Sequence, residues 1–215
     1  MYVPAHFEES RADVLHQLIR DYALGTLITL GSGGLEANHV PFEIDAASGD
    51  HGVLRAHVAR SNPVWRDFSK DTDALVVFQG AQAYISPSWY QTKQENEKVV
   101  PTYNYVVVHA YGALRIIDDA KWLRDLVGRL TERYEAQQLA PWKVSDAPED
   151  YIEKMLGAIV GIEIPINRLV GKWKVSQNRP EVDRHGVVAG LQQSGREEPQ
   201  IMAAAVAVAL SGKRS

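Results

Sequence analysis

Between residues 25 and 117 the chain reads as a succession of β-strands, and this pattern constrains the fold more than any other feature. The predicted strands cover residues 26–30, 35–45, 53–58, 74–79, 83–86 and 103–116. The first two flank the turn Gly31-Ser32-Gly33-Gly34, which predicts a β-hairpin. Pro41 lies in the second arm and favours an edge or a bulge. No helix pattern alternates with the strands, so the sheet is expected to be mainly antiparallel.

Helical patterns lie at the two ends of this region. Ser10 followed by Asp13 predicts a capped amphipathic helix, and Asp118 or Asp119 would cap a second helix that packs against the sheet. The remaining elements are predicted as a helix at 149–158, strands at 159–166 and 169–175, and two helices after Pro180. We therefore expect an α+β, barrel-like domain over residues 1–191, with an alanine-rich helix at 192–215 that packs on it or extends it.

Composition excludes several function classes. The 215 residues include no cysteine, which excludes disulfides, thiolate metal sites and cysteine nucleophiles. The net charge of −4 argues against non-specific binding of nucleic acid. The N-terminus resembles no signal peptide, and no run is long enough to span a membrane, so we expect a cytoplasmic protein.

The segment from His57 to Pro63 is the first with candidate binding residues. Arg60 precedes a helical turn that Asn62 would cap, and a guanidinium beside free backbone N–H groups can bind phosphate. A purely structural role for Asn62 and a surface position for Arg60 explain the same residues.

The segment from Tyr84 to Lys93 is the second. Trp89 and Tyr90 could form walls for a flat heterocycle, while Ser86 and Lys93 could bind its polar tail. The two aromatic rings could equally cover the core.

The other two segments are strands. Tyr103, Tyr105, His109 and Tyr111 share one strand face, which is typical of an interface or a ligand wall, although His109 itself is expected to be structural. Alternation places Lys172, Lys174 and Ser176 on one face of the last strand, where the two lysines could bind phosphate or remain solvated.

Signatures of several enzyme classes are missing. The chain has no dinucleotide-binding loop, no P-loop and no nucleophile elbow, and its seven histidines lack metal-ligand spacing. No residue is therefore predicted to be catalytic or to bind a metal.

Together the segments HVARSNP, AYISPSWY, VPTYNY and KWKVSQNRP, in this order after the N-terminal MYVPAHF, resemble the PaiB-like family of FMN-binding negative transcriptional regulators. The resemblance implies an FMN-binding split β-barrel that works as a homodimer, with the flavin between the subunits. It implies that FMN is bound by residues from all four segments. They are His57, Arg60, Asn62, Ser86, Trp89, Tyr90, Lys93, Thr102, Asn104, Lys174 and Gln177.

Three functions remain open at this point. A flavin-dependent regulator of a protein or DNA partner is favoured, although neither the net charge nor a helix-turn-helix supports direct DNA binding. A flavin oxidoreductase of the same fold is the alternative. The third is an interaction module that binds haem or no ligand, with His57 or His109 as the axial candidate.

Overall fold

The computed structural model describes residues 1–212, apart from the side chain of Asn96. The chain forms two compact units whose segments alternate along the sequence. Unit 1 contains Met1–Tyr22, Phe78–His109 and the chain from Val170 onward, and unit 2 contains Ala23–Val77 and Ala110–Leu169. The predicted boundary at residue 191 falls inside a helix, and the division of the chain at that point stays a prediction. Residues 213–215 of the predicted terminal segment lie outside the described residues.

Within residues 1–212, ten strands and six α-helices form the two units. The strands are β1 (Glu8–Glu9), β2 (Leu24–Gly31), β3 (Gly34–Pro41), β4 (Glu43–Asp45), β5 (Val53–Ala59), β6 (Ala74–Ile85), β7 (Thr102–Gly112), β8 (Arg115–Ile117), β9 (Ile159–Pro165) and β10 (Arg168–Lys174). The helices are α1 (Ala12–Asp21), α2 (Lys93–Asn96), α3 (Ala120–Glu135), α4 (Glu149–Gly157), α5 (Glu181–Gln192) and α6 (Glu197–Leu210). Within residues 1–212, no helix is long and apolar enough to cross a membrane.

Unit 1 contains strands in the order β1, β10, β7 and β6, together with α1, α2, α5 and α6. Helix α1 buries Leu15, Leu18 and Ile19, which recur at helical spacing. The two strands predicted at 74–79 and 83–86 form one continuous strand, β6, in which Gly80 allows a close approach to a neighbouring strand. A Cβ on Gly80 would lie 2.6 Å from the Val106 side chain.

Unit 2 is built on two antiparallel arrangements. The predicted hairpin is present as β2 and β3, and β2 also pairs with the first residues of β6. A second sheet has the order β4, β5, β9 and β8, and α3 and α4 pack beside it. Asp119 caps α3 by accepting the N–H of Trp122 at 2.7 Å. The predicted mainly antiparallel α+β architecture with peripheral helices is confirmed.

Three local predictions were wrong. Ser10 caps no helix, since α1 begins after Arg11, whose N–H bonds to the Glu9 carboxylate at 2.9 Å. The arm at 35–45 is divided at Pro41, because residues 43–45 leave the hairpin to pair with β5. The long strand at 103–116 is likewise divided into β7 and β8, and β8 pairs with β9.

Close packing of α3 on β9 yields a test of unit 2. A Cβ on Gly161 would lie less than 3.0 Å from the Trp122 ring and 2.8 Å from the carbonyl oxygen of Ile117. We expect Gly161→Ala to lower the free energy of unfolding by about 1–3 kcal/mol through overpacking. Chemical denaturation measures this, with Gly157→Ala as the control because a Cβ there meets nothing within 4 Å. Equal stabilities of the two variants would contradict this packing.

Candidate functional site

Unit 1 contains a cluster of three cationic side chains, Lys172, Lys174 and Arg179, which we call the cation cluster. Lys172 is buried, and the other two are partly buried. Within residues 1–212, no carboxylate forms an ion pair with any of them. Even Glu8, which lies opposite Lys172 in the ladder between β1 and β10, forms no such pair. The cluster therefore carries positive charge that the described residues leave uncompensated.

Lys174 is held in place by neutral oxygen atoms. Its ammonium donates to the Thr102 hydroxyl and, at 2.6 Å, to the carbonyl oxygen of Tyr103. Burial lowers the pKa of Lys174, and the charges of Lys172 and Arg179 lower it further. An ammonium has three N–H donors, so one remains for a further acceptor. An anion at this position would offset both the desolvation of the Lys174 ammonium and its repulsion by the other two cations.

Two other members of the cluster have aromatic partners. The Lys172 ammonium donates to the carbonyl oxygen of Tyr2 at 3.2 Å and lies 5.1 Å from the centre of the Tyr105 ring. The Arg179 guanidinium lies over the Tyr90 ring at 4.8 Å. Burial raises the pKa of Tyr90, and the charge of Arg179 opposes that rise. Aromatic faces stabilise a cation without cancelling its charge.

The turn that follows β10 brings this cluster together. Ser176 has a left-handed backbone, with φ of 64°, and its buried hydroxyl accepts the Nδ2–H of Asn104 at 2.9 Å. Gln177 accepts the N–H of Val175 at 2.8 Å and donates to the carbonyl oxygen of Trp173. Gln177 thus fixes the turn rather than pointing an unused amide outward. The buried Oδ1 of Asn104 has no hydrogen-bond partner among the described residues.

A cavity of about 400 Å³ lies in the same unit. It is lined by Gln82, Ala83, Tyr84, Trp89, Tyr103, Leu191, Ser194, Arg196, Glu198 and Pro199. The Tyr84 and Tyr103 rings meet edge to face, with centroids 5.9 Å apart. Two residues of this wall, Tyr103 and Trp89, are connected to the cation cluster. Tyr103 lines the cavity and gives its carbonyl to Lys174, and Trp89 precedes Tyr90, on which Arg179 lies.

The remaining predicted residues of unit 1 have local partners. Ser86 caps the 3-10 turn Pro87–Trp89 by accepting the N–H of Ser88 at 3.2 Å. The ammonium of Lys93 lies 3.9 Å from the Glu97 carboxylate. Neither side chain has a described contact with the cation cluster, and their roles as flavin ligands stay predictions.

Unit 2 contains the other three predicted residues. Arg60 donates to both oxygens of Asp118, at 2.6 and 2.9 Å, and to the carbonyl oxygens of Gly157 and Ile159. Four of its five N–H groups are therefore used. This contact raises the pKa of Arg60 and lowers that of Asp118. Arg60 braces unit 2 in this structure, and its role as a phosphate ligand stays a prediction.

Asn62 and His57 have different environments in unit 2. Asn62 caps the turn Pro63–Trp65, as predicted, and also donates to Asn38 at 2.8 Å. His57 lies on β5, and its buried Nδ1 has no hydrogen-bond partner among the described residues. Burial lowers the pKa of His57, so its neutral form is favoured in the folded chain.

Comparison with known proteins identifies the family. A family model described as "Putative FMN-binding domain" matches residues 1–168. The chain is 34% identical to Bacillus subtilis "Protease synthase and sporulation protein PAI 2", over 94% of this chain and 95% of the relative. The chain belongs to the PaiB-like family. An uncharacterised protein of Emericella nidulans is also similar, at 35% identity over 94% of this chain and 95% of that protein.

Solved structures agree with the fold. The FAD and heme binding protein from Mycobacterium smegmatis is similar with a TM-score of 0.55 and 17% identity, over 78% of this chain and 73% of that one. A conserved hypothetical protein from Mycobacterium tuberculosis gives a TM-score of 0.55 at 15% identity, over 84% and 94% of the two chains. This PaiB-like chain therefore has the flavin-protein split-barrel fold.

The sequence does not single out every residue of this candidate site. The sequence singles out Lys172 with Lys174 as a pair that could bind phosphate, but it does not single out Arg179, which lies after a turn that strand alternation does not describe. The cavity residues of α6, such as Glu198, follow the segments that carry the family resemblance. The family model also ends at residue 168, before the cation cluster. For Arg179 the signal in the sequence is the density of basic side chains between residues 172 and 179.

The burial of His57 predicts a pH effect on stability. Its pKa is lower in the folded chain than in the unfolded one, so the unfolded chain binds a proton first as the pH falls. We expect the free energy of unfolding to decrease below about pH 6.5 and this part of the decrease to vanish in His57→Gln. Denaturant titrations at pH 7.5 and 5.5 measure the difference. A His57→Gln variant with the unchanged pH slope would contradict a desolvated His57.

Proposed function

We propose that this PaiB-like chain binds FMN and that the cation cluster binds the phosphate. The single observation that carries the proposal is the group formed by Lys172, Lys174 and Arg179, which no described carboxylate neutralises. A phosphate dianion supplies the missing negative charge and accepts charge-assisted hydrogen bonds, which are stronger than neutral ones. The family model and the flavin-binding relatives of the same fold support a flavin as the bearer of that phosphate.

The neighbouring groups fit the other parts of FMN. The Thr102 hydroxyl accepts from Lys174 and can still donate its own proton to a phosphate oxygen. The Oδ1 of Asn104 has no hydrogen-bond partner among the described residues, but it is buried, so the role of Asn104 as a flavin ligand stays a prediction. The cavity has the size and the aromatic lining of a small-molecule pocket, and it offers Trp89 and Tyr103 to a flat ring.

The protein residues supply binding and orientation in this proposal. When bound, FMN supplies one- and two-electron redox chemistry. Lys174 fixes the charged tail, and Trp89 holds the ring. None of these roles requires a proton transfer to or from a side chain, so we assign no general acid or base.

We also propose that the FMN-bound protein is a homodimeric regulator with the flavin between protomers. Beside the cavity the side chains of Tyr84 and Tyr103 are 50% and 54% exposed, which suits aromatic groups that a second copy covers. The name of the Bacillus subtilis relative refers to protease synthesis and sporulation, and this supports a regulatory output. The net charge of −4 favours a protein partner over DNA.

A comparison of FMN with riboflavin tests the phosphate site. Removal of the Lys174 charge deletes one charge-assisted contact, at about 1.5–3 kcal/mol. We expect Lys174→Met to weaken FMN binding by roughly 10- to 100-fold and to leave riboflavin binding within about twofold, because riboflavin has no phosphate. Fluorescence titration of both ligands provides the dissociation constants.

The matched control is Lys154→Met, which removes an exposed lysine of α4 in unit 2. This variant should bind both flavins like the unsubstituted protein. Equal losses for FMN and riboflavin in Lys174→Met, or no loss for either, would place the phosphate elsewhere.

The assembly proposal has its own measurement. We expect light scattering to give the mass of two chains when FMN is bound, because the exposed rings are then covered. A monomer at micromolar concentration with saturating FMN would refute the dimer. Anaerobic bleaching of bound FMN by NADH or NADPH would favour the oxidoreductase over the regulator, and a salt-dependent shift of a specific DNA would favour a DNA partner.

A further inference from the structure

Two glycines of helix α5 pack against Trp89. A Cβ on Gly190 would lie less than 3.0 Å from several atoms of the Trp89 indole, and one on Gly186 would lie equally close to the Trp89 carbonyl oxygen. The backbone of the helix thus contacts both the ring and the main chain of Trp89. Any side chain larger than hydrogen at either position would displace this residue.

The same helix holds the segment that follows Trp89. The carboxylate of Asp183, itself 1% exposed, accepts the N–H of Thr92 at 3.0 Å and its O–H at 2.8 Å. Asp183, Gly186 and Gly190 recur at a spacing of three and four residues, which places them on one face of α5. Residues 89–92 are therefore attached to that face at both ends.

Helix α5 also contributes to the cavity directly. Leu191, next to Gly190, lines the cavity together with Trp89. One helix therefore contributes one lining residue of the cavity and contacts a second. Glycine is among the least favourable residues in a helix interior, and α5 contains two of them at the contact with Trp89. Helix stability alone does not account for that choice, whereas close approach of an aromatic wall does.

We propose that Asp183, Gly186 and Gly190 are positioning residues that set the place of the Trp89 indole, and thereby the width of the cavity, for a flat heteroaromatic ring. This inference rests on the proposed flavin site and deepens it. It predicts that α5 governs recognition of the ring, while the cation cluster governs recognition of the phosphate. The two effects are separable because riboflavin and FMN share the ring and differ in the phosphate.

The test is Gly190→Ala in the full chain, titrated with FMN and with riboflavin. We expect both affinities to fall by about tenfold or more, since a stacked aromatic contact is lost. We also expect the fluorescence of bound flavin to rise, because a displaced indole quenches it less. The control is Gly128→Ala in α3, where a Cβ meets nothing within 4 Å, and it should change neither affinity.

A second pair of variants separates positioning from folding. Gly190→Ala combined with Trp89→Leu relieves the collision, so the melting temperature should recover while flavin affinity stays low. Asp183→Asn keeps the size of the side chain and weakens the hydrogen bonds from Thr92. It should therefore lower the affinities for FMN and for riboflavin, and it provides a test even if Gly190→Ala folds poorly.

The outcomes distinguish the two proposals. Absence of FMN binding by the unsubstituted protein would overturn the proposed function. Normal FMN and riboflavin binding by folded Gly190→Ala, or by Asp183→Asn, would overturn the positioning role while leaving the flavin site intact. A loss for FMN alone would also overturn it, since the ring is common to both ligands.

Discussion

Uncompensated positive charge in unit 1 is the constraint on which the candidate site depends. Lys172, Lys174 and Arg179 repel one another, and partial burial removes much of the water that would screen them. Such an arrangement costs folding free energy when no anion is present. A dianion that binds only the folded chain reverses the sign of that contribution, so ligand binding and stability are linked. The three charges are best understood as a site that its ligand completes.

The geometry of the turn after β10 explains why three cations can converge without a carboxylate. Ser176 adopts a left-handed backbone, which non-glycine residues rarely adopt. Hydrogen bonds from Asn104 to Ser176, and between the Gln177 side chain and the backbone of residues 173 and 175, support it. Arg179 follows this turn and lies over the Tyr90 ring. Neutral oxygens and aromatic faces hold the cations, so their charge stays available. Arg60 differs, because Asp118 already neutralises it.

Much of the fold follows from local sequence, and the failures have local causes. Alternation predicted the hairpin and the paired lysines, and Asp119 and Asn62 cap the turns that their positions indicated. Strand ends were misjudged at Gly80 and near Leu114, because a close neighbouring strand or a change of partner decides them and neither is encoded locally. Arg179 was not singled out either, because its contact with Tyr90 depends on the turn after β10. The ion pair of Arg60 with Asp118 joins residues 58 positions apart, and no pattern in either segment predicts it.

The proposed site combines two kinds of recognition, that of charge and that of a flat ring, and draws on two parts of the chain. Strand β7, inside the range that the family model matches, supplies the Thr102 hydroxyl and the Asn104 amide. The cations and the face of α5 that holds Trp89 come from the chain after residue 168. Charge recognition tolerates small displacements, because Coulomb energy changes slowly with distance. Ring recognition does not, because dispersion contacts are lost over fractions of an ångström. In the proposed site, the glycines of α5 allow the aromatic wall to be placed accurately, whereas flexible lysines suffice for the phosphate.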